Sequence, residues 1–216
     1  MNGVDAVWRV GRMTLGPLTR VFGRLRVYGR ENVPPTGGVV LALNHFHWLD
    51  PAAFGSACPR TIYYMAKIEA HRVPGLGQVI RSFGTFSVRR GESDREAVRM
   101  MRKIVADGHA LGLFVEGTRQ RTGRPGTAQP GAAMVAMQEN VPVVPVAVYG
   151  TQFWRLGNFK PCSVAYGEPI RFDGLPKGGK GYKEATVEIE RRINVLFDWL
   201  AEVHAQGRPP GLTPPL

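Results

Sequence analysis

A chain of 216 residues accommodates one well-cored domain and is too short for two of ordinary size. Its 44% hydrophobic and 21% charged content excludes a disordered or collagen-like chain. Two cysteines, Cys58 and Cys162, fit neither a disulfide framework nor a metal spacing and read as free thiols of a reducing compartment, while the net charge of +11 attracts polyanions, whether nucleic acid, anionic lipid headgroups or phosphorylated substrates.

No stretch reaches the roughly 18 uninterrupted apolar residues of a spanning helix, and arginines interrupt any signal-peptide core near the N-terminus. Residues 4–22 place Val4, Val7, Trp8, Leu15, Leu18 and Phe22 on one helical face, with Arg9, Arg12 and Arg20 off it. Gly16-Pro17 predicts a break into two short helices. This basic amphipathic opening suits a membrane interface, and equally a helix packed on the domain; residues 1–24 are assigned as a membrane-association segment. A strand–helix alternation follows over 25–206. Strands are predicted at Leu25–Tyr28, Val39–Asn44, Ile62–Ala66, Thr85–Val88, Leu111–Val115 and Val143–Tyr149. Helices start near Asp50-Pro51, at Pro74-Gly75 and at Ser93, which stands in capping-box register with Glu96, and another spans Gly131–Glu139. A closing helix buries Ile189, Ile193, Leu196, Phe197, Leu200 and Val203, and residues 207–216 read as a loose Pro/Gly-rich tail. Val-rich strands of this kind suit a sheet buried on both faces, so the fold class is α/β, a mostly parallel central sheet flanked by helices.

Three segments carry chemistry. Asn44-His45-Phe46-His47-Trp48-Leu49-Asp50-Pro51 lies where an apolar strand ends and a helix begins, the usual place for functional groups in open α/β sheets. His45 and Asp50 are five residues apart, and a turn between them folds the carboxylate onto one imidazole nitrogen and leaves the other free as a general base. No serine or cysteine nucleophile stands beside them, so direct attack of a substrate hydroxyl on a thioester is expected. His45-x-His47 before an aspartate is similar to a zinc-hydrolase pattern, but the aspartate falls one residue late and Pro51 replaces the last histidine; no metal is expected. Second, a buried strand runs into Glu116-Gly117-Thr118-Arg119, where the glycine permits close backbone approach and Arg119 offers a donor fork for a phosphate. Third, Lys67 and the Arg89-Arg90 pair close strands and fit either an anion pocket shared with Arg119 or a solvated basic rim. Val141-Pro142-Val143-Val144-Pro145-Val146 reads chiefly as core.

In this order, the segments resemble the lysophosphatidic acid acyltransferase family, the 1-acyl-sn-glycerol-3-phosphate acyltransferases, from about Val27 to Gly167. The His-x-x-x-x-Asp motif matches His45 to Asp50, Glu-Gly-Thr-Arg matches Glu116 to Arg119 without change, and Val-Pro-x-x-Pro-Val matches Val141 to Val146. Gly84, Phe86 and Arg89 match a further Gly/Phe/Arg motif loosely, with shortened spacing.

The resemblance implies that His45 is the base, Asp50 its partner, and Arg89, Glu116, Gly117, Thr118 and Arg119 the acceptor-binding set, to which Lys67 is added by its place at a strand end. The apolar wall of Val141, Pro142 and Pro145 is expected to take the acyl chain. The implied acceptor is lysophosphatidic acid, acylated to phosphatidic acid in phospholipid biosynthesis. The implied co-substrate is acyl-CoA or acyl-carrier protein, with no cofactor, no metal and no covalent intermediate. The implied location is the cytoplasmic face of the cell membrane, peripheral or monotopic on an anionic surface. Two departures stand out: His47 where relatives often have serine, and Gln129, within Ala128-Gln129-Pro130-Gly131, where they often have lysine. Arg121 and Arg124 are the candidates to replace that lysine. Acylation of another lysophospholipid or an amino-acid lipid, and a catalytically silent lipid-binding module, are the alternatives. No nucleic-acid motif is present, and the aromatics do not interleave with the arginines as base-stacking platforms do.

Overall fold

The strands predicted from Val-rich runs assemble around the one at Val39–Leu43. In the computed structural model, which describes residues 3–22, 24–88, 95–155 and 157–215, the strands are β1 (Arg26–Tyr28), β2 (Val39–Leu43), β3 (Ile62–Lys67), β4 (Phe86–Val88), β5 (Ala110–Phe114), β6 (Val143–Tyr149) and β7 (Ser163–Tyr166). Among the described residues they form one seven-stranded sheet in the order β1-β7-β6-β2-β5-β3-β4. The block from β6 to β4 is parallel, while β7 runs antiparallel to β6 and carries β1 parallel to itself. The sheet is therefore mostly parallel with two reversed strands at one edge.

β2 shows why such a strand reads as an unbroken apolar run. Val40 and Ala42 enter the core on one face and Val39, Leu41 and Leu43 the core on the other, all 0% exposed. The first face is covered by α5 (Arg95–Ala106), α6 (Gly131–Glu139) and α7 (Gly179–Ala205), through Met101, Ile104, Val135 and Ile189. The second is covered by α1 (Gly3–Phe22) and α2 (Asp50–Ala57), through Trp8 and Phe54. Two short helices, α3 (Ile68–Arg72) and α4 (Leu76–Ser82), link β3 to β4. Pro145 sits inside β6, where a ladder proline needs a reason. Its register with the adjacent Val143–Ile170 bridge turns its nitrogen toward the point where the chain leaves β7, and Gly167 N donates to its carbonyl at 2.9 Å. A Cβ on Gly167 would lie 2.9 Å from the Pro145 ring and 3.1 Å from Leu196, so glycine is what lets the chain cross there.

Three expectations are corrected. Residues 3–22 form one helix with Pro17 inside it, not two helices. Gly16 precedes the proline and has no Cβ for the ring to strike, which removes most of the usual penalty on a helical residue before proline. The helix is also two-sided: Trp8 is buried, while Val10, Met13, Leu18, Val21 and Phe22 face outward. The tail after Gly207 is docked rather than loose. Arg208 donates to the carbonyl of Arg24 at 2.6 Å, Tyr28 Oη donates to the carbonyl of Pro209 at 3.1 Å, and Leu212 packs on the cluster around Tyr28 and Leu200. The proposed cap Ser93 and the basic pair Arg89-Arg90 lie outside the described residues. Among the described residues no helix is long and apolar enough to cross a membrane.

Candidate active site

β2 delivers His45 to the carboxyl end of the most central strand. Asn44 makes that end rigid: fully buried, it donates to the carbonyl of Val148 at 2.9 Å and accepts from its N–H at 2.8 Å, tying β2 to β6 beyond the ladder. Asp50 opens α2, with Pro51 in the first turn, where a missing N–H costs nothing. The intervening turn brings the Asp50 carboxylate back. One oxygen, Oδ2, accepts from His45 Nδ1 at 2.8 Å, Phe46 N at 2.6 Å and His47 N at 2.7 Å. A carboxylate in that position keeps the proton on Nδ1 and leaves the Nε2 lone pair open. Among the described residues nothing bonds Nε2. The His45 side chain is 18% exposed against 0% for Asp50, and its ring stacks on Phe114 with centroids 4.0 Å apart. The arrangement can serve as a positioned base whose partner is sealed from water.

Glu116 was expected among the substrate contacts, and the structure corrects this. It is 4% exposed, and its two oxygens accept from the backbone N–H of His45 at 2.7 Å and of Gly126 at 2.9 Å. Its role is to hold the His45 backbone in place from β5, alongside the Gln120 N–H to His45 carbonyl bond at 2.7 Å. Burial pushes the Glu116 carboxyl up to about 7, against the lowering effect of its two amide donors. A carboxyl raised in the folded state gives stability that is complete below the unfolded value and is lost as pH rises through the folded one. Urea unfolding should therefore show a stability decline between about pH 4.5 and 7. Glu116→Gln should flatten that decline while lowering stability by roughly 1–3 kcal/mol, because an amide cannot accept from both N–H groups.

Among the described residues, the rest of the Glu116–Arg119 segment lies at the same end of the sheet. Gly117 turns the chain with φ +67°, a conformation that favours glycine, and leaves Thr118 and Arg119 exposed beside the His45 backbone. Lys67 ends β3 at this same end of the sheet. Arg89 lies outside the described residues. Arg124 is committed elsewhere, bonded to Asp198 at 2.7 Å and lying over the Phe197 ring. Gln129 uses its backbone N–H on the Val115 carbonyl at 2.7 Å, with an exposed side chain. His47 does not join His45; its Nδ1 accepts from Leu49 N at 3.3 Å, and its ring packs beside Trp48 and Trp154. Burial lowers its basicity, with Arg155 and Arg119 adding to the effect. Among the described residues no group of three or more His, Cys, Asp or Glu side chains is placed to share a metal.

The apolar wall is somewhere other than expected. Val141 and Pro142 precede β6, at the end of the sheet opposite His45, and Pro145 is locked in its interior. The apolar cavity is instead one of about 410 Å³ between α1, α2, α4 and β3, lined by Trp8, Trp48, Pro51, Tyr64, Phe83 and Phe114 among others. Phe114 belongs to both features: its ring carries His45 and lines the cavity. Sequence reasoning missed this space because its walls come from segments far apart in the chain.

Residues 24–149 match the model of a family described as Acyltransferase. The chain is 29% identical over 189 residues to a 1-acyl-sn-glycerol-3-phosphate acyltransferase of Bacillus subtilis (strain 168), covering 84% of this chain and 92% of that one. It is 30% identical over 139 residues to the protein of that name from Borreliella burgdorferi, covering 62% of this chain and 55% of the other. Among solved structures, the 1-acyl-sn-glycerophosphate (LPA) acyltransferase PlsC from Thermotoga maritima shares the fold, with a TM-score of 0.72 over 94% of this chain and 80% of that one, at 24% identity.

Proposed function

The chain belongs to the acyltransferase family, and from that premise we propose that it moves a fatty acyl group from a thioester carrier to the free hydroxyl of 1-acylglycerol 3-phosphate, giving phosphatidic acid. The observation that carries this reading is the His45–Asp50 pair, 2.8 Å apart, with Nε2 free at the strand end. The acceptor hydroxyl lies against Nε2, which takes its proton as the oxygen attacks the thioester carbonyl. The new C–O bond forms, the C–S bond breaks, and the same proton leaves with the departing thiolate. Imidazolium formed in between is stabilised by the Asp50 carboxyl group bonded to its Nδ1. Acyl group and proton both come from the substrates, so no cofactor enters the step.

A covalent acyl-enzyme has no support from the thiols. Burial pushes Cys58 up to about 11 and Cys162 up to about 12, far from the thiolate a nucleophile needs. The cavity beside Phe114 accepts the acyl chain, since it is apolar and begins where the carbonyl must sit. Acyl-CoA or acyl-carrier protein supplies the thioester, and positioning of the two substrates contributes much of the acceleration. The exposed apolar side of α1, flanked by Arg9 and Arg20, rests on an anionic membrane at its cytoplasmic face.

Arg119, with Lys67 and Arg89 as further cations, holds the acceptor phosphate. Arg119→Ala is expected to raise the KM for a phosphorylated acceptor roughly ten- to a hundredfold, the worth of one charge-assisted contact. It should leave KM unchanged for an acceptor that lacks the phosphate. Steady-state kinetics on the two acceptors test this; an equal loss on both removes Arg119 from phosphate recognition.

A further inference from the structure

The loop from β6 to β7 carries Phe153, Trp154, Arg155, Phe159 and Lys160, and the chemistry proposed above uses none of them. Asn158 brackets the loop's described residues: the side chain donates to the Phe153 carbonyl at 3.0 Å and accepts from Arg155 N at 2.9 Å and Lys160 N at 3.2 Å. On this bracket Phe153 is 53% and Phe159 41% exposed. Phe159 has φ +42°, a left-handed conformation that a bulky aromatic residue avoids unless its surroundings impose it. The ring so presented packs at a tilt against Phe22, the exposed last residue of α1, at 5.6 Å between centroids. At the other end of the loop Trp154 meets Trp48 edge-on at 6.3 Å. Trp48 is itself 63% exposed and lines the apolar cavity.

Rings, exposed apart from the half-buried Trp154, therefore lie from the outer end of α1 to Trp48 at the mouth of the cavity. Exposed cations border them, Arg155 and Lys160 on the loop and Arg20 and Arg24 near Phe22. Scattered exposed aromatics need no explanation, but rings on a pinned and strained loop, continuous with an apolar helix side and edged by cations, have the composition of a membrane–water boundary.

We propose that residues 151–155 and 157–160, between β6 and β7, are a second membrane-contact element, which seats Phe153 and Phe159 at the headgroup boundary of an anionic bilayer and sets Arg155 and Lys160 on lipid phosphates. It turns the mouth of the cavity toward the bilayer from which the acceptor is drawn. The inference rests on the reading of α1 as the membrane-facing helix and adds the element that fixes its tilt.

Sedimentation of the full chain with phosphatidylcholine vesicles containing phosphatidylglycerol tests it. Wild type is expected to bind, and to bind more weakly as salt rises. Phe153→Ser/Phe159→Ser should partition about tenfold or more weakly while keeping turnover on a short-chain, water-soluble phosphorylated acceptor. Should the double variant partition like wild type, when Leu18→Ser/Val21→Ser on α1 does not, the loop is no membrane contact and the proposal falls. Failure of wild type to bind anionic vesicles removes the membrane reading as a whole. Absent turnover on the soluble acceptor removes the enzymatic reading and leaves the vesicle result standing. A measurement on folded wild type guards against a misfolded variant: lipids brominated in the acyl chain should quench tryptophan emission, and Trp48→Phe/Trp154→Phe should lose most of that quenching. Equal quenching in the two overturns the proposal.

Discussion

Replacing His45 with alanine is expected to lower turnover by roughly two to four orders of magnitude, the usual contribution of a positioned general base, with the fold unchanged. The two expectations have separate physical grounds. The loss follows because Nε2 is the free nitrogen at the carboxyl end of β2, while the only other imidazole in the motif, His47, is turned to Leu49 and the tryptophans. The retained fold follows because the neighbourhood does not depend on the ring. The His45 N–H still donates to Glu116 and its carbonyl still accepts from Gln120, and Asp50 keeps the N–H donors of Phe46 and His47. Thermal unfolding of the variant within a few degrees of wild type, together with a collapsed kcat at nearly unchanged acceptor KM, is the expected pair of results.

Asp50 behaves differently, because it holds both the ring and the turn. In Asp50→Ala, two backbone N–H groups in a closed turn lose their acceptor, at about 1–3 kcal/mol each, and His45 loses the group that fixes its tautomer. Stability should fall by roughly 2–5 kcal/mol and turnover should fall with it. Asp50→Asn separates the two effects. A single amide oxygen can still serve the N–H groups of Phe46 and His47, so most of the stability should return. Turnover should stay low, by roughly two to four orders of magnitude, because a neutral amide cannot stabilise the imidazolium. Urea unfolding and steady-state kinetics on the three proteins give the comparison. Full recovery of activity in Asp50→Asn would reduce Asp50 to a turn-holding residue.

The parts of this molecule legible from its residues are those where a local pattern has one physical solution. Val39–Leu43 and Val143–Tyr149 are apolar on both sides because both sides are buried, and a parallel sheet is the structure that does this. His45 and Asp50 share a turn too short to separate them. What was misread depended on contacts distant in sequence. β7 has only Ser163–Tyr166 to announce itself, and takes its place because β6 offers an antiparallel edge. The tail looked loose by composition, yet Arg208 and Leu212 find partners on the far side of the chain. Glu116 sits among motif residues that face outward, but the turn at Gly117 comes after it and leaves its carboxylate inside. Val141, Pro142 and Pro145 point to a wall of the site by their motif, yet they lie before or inside a buried strand that offers its side chains to the core.

The most direct test is a stoichiometry. Purified chain, an acyl thioester and lysophosphatidic acid are incubated together, with thiol release followed continuously and the lipid products weighed by mass spectrometry. Release of one thiol for each diacyl phosphate formed, absent without the acceptor and lowered by roughly two to four orders of magnitude in His45→Ala, is the predicted result. Thiol release that proceeds without acceptor and yields free fatty acid, or that survives the loss of the imidazole, would contradict direct transfer through His45.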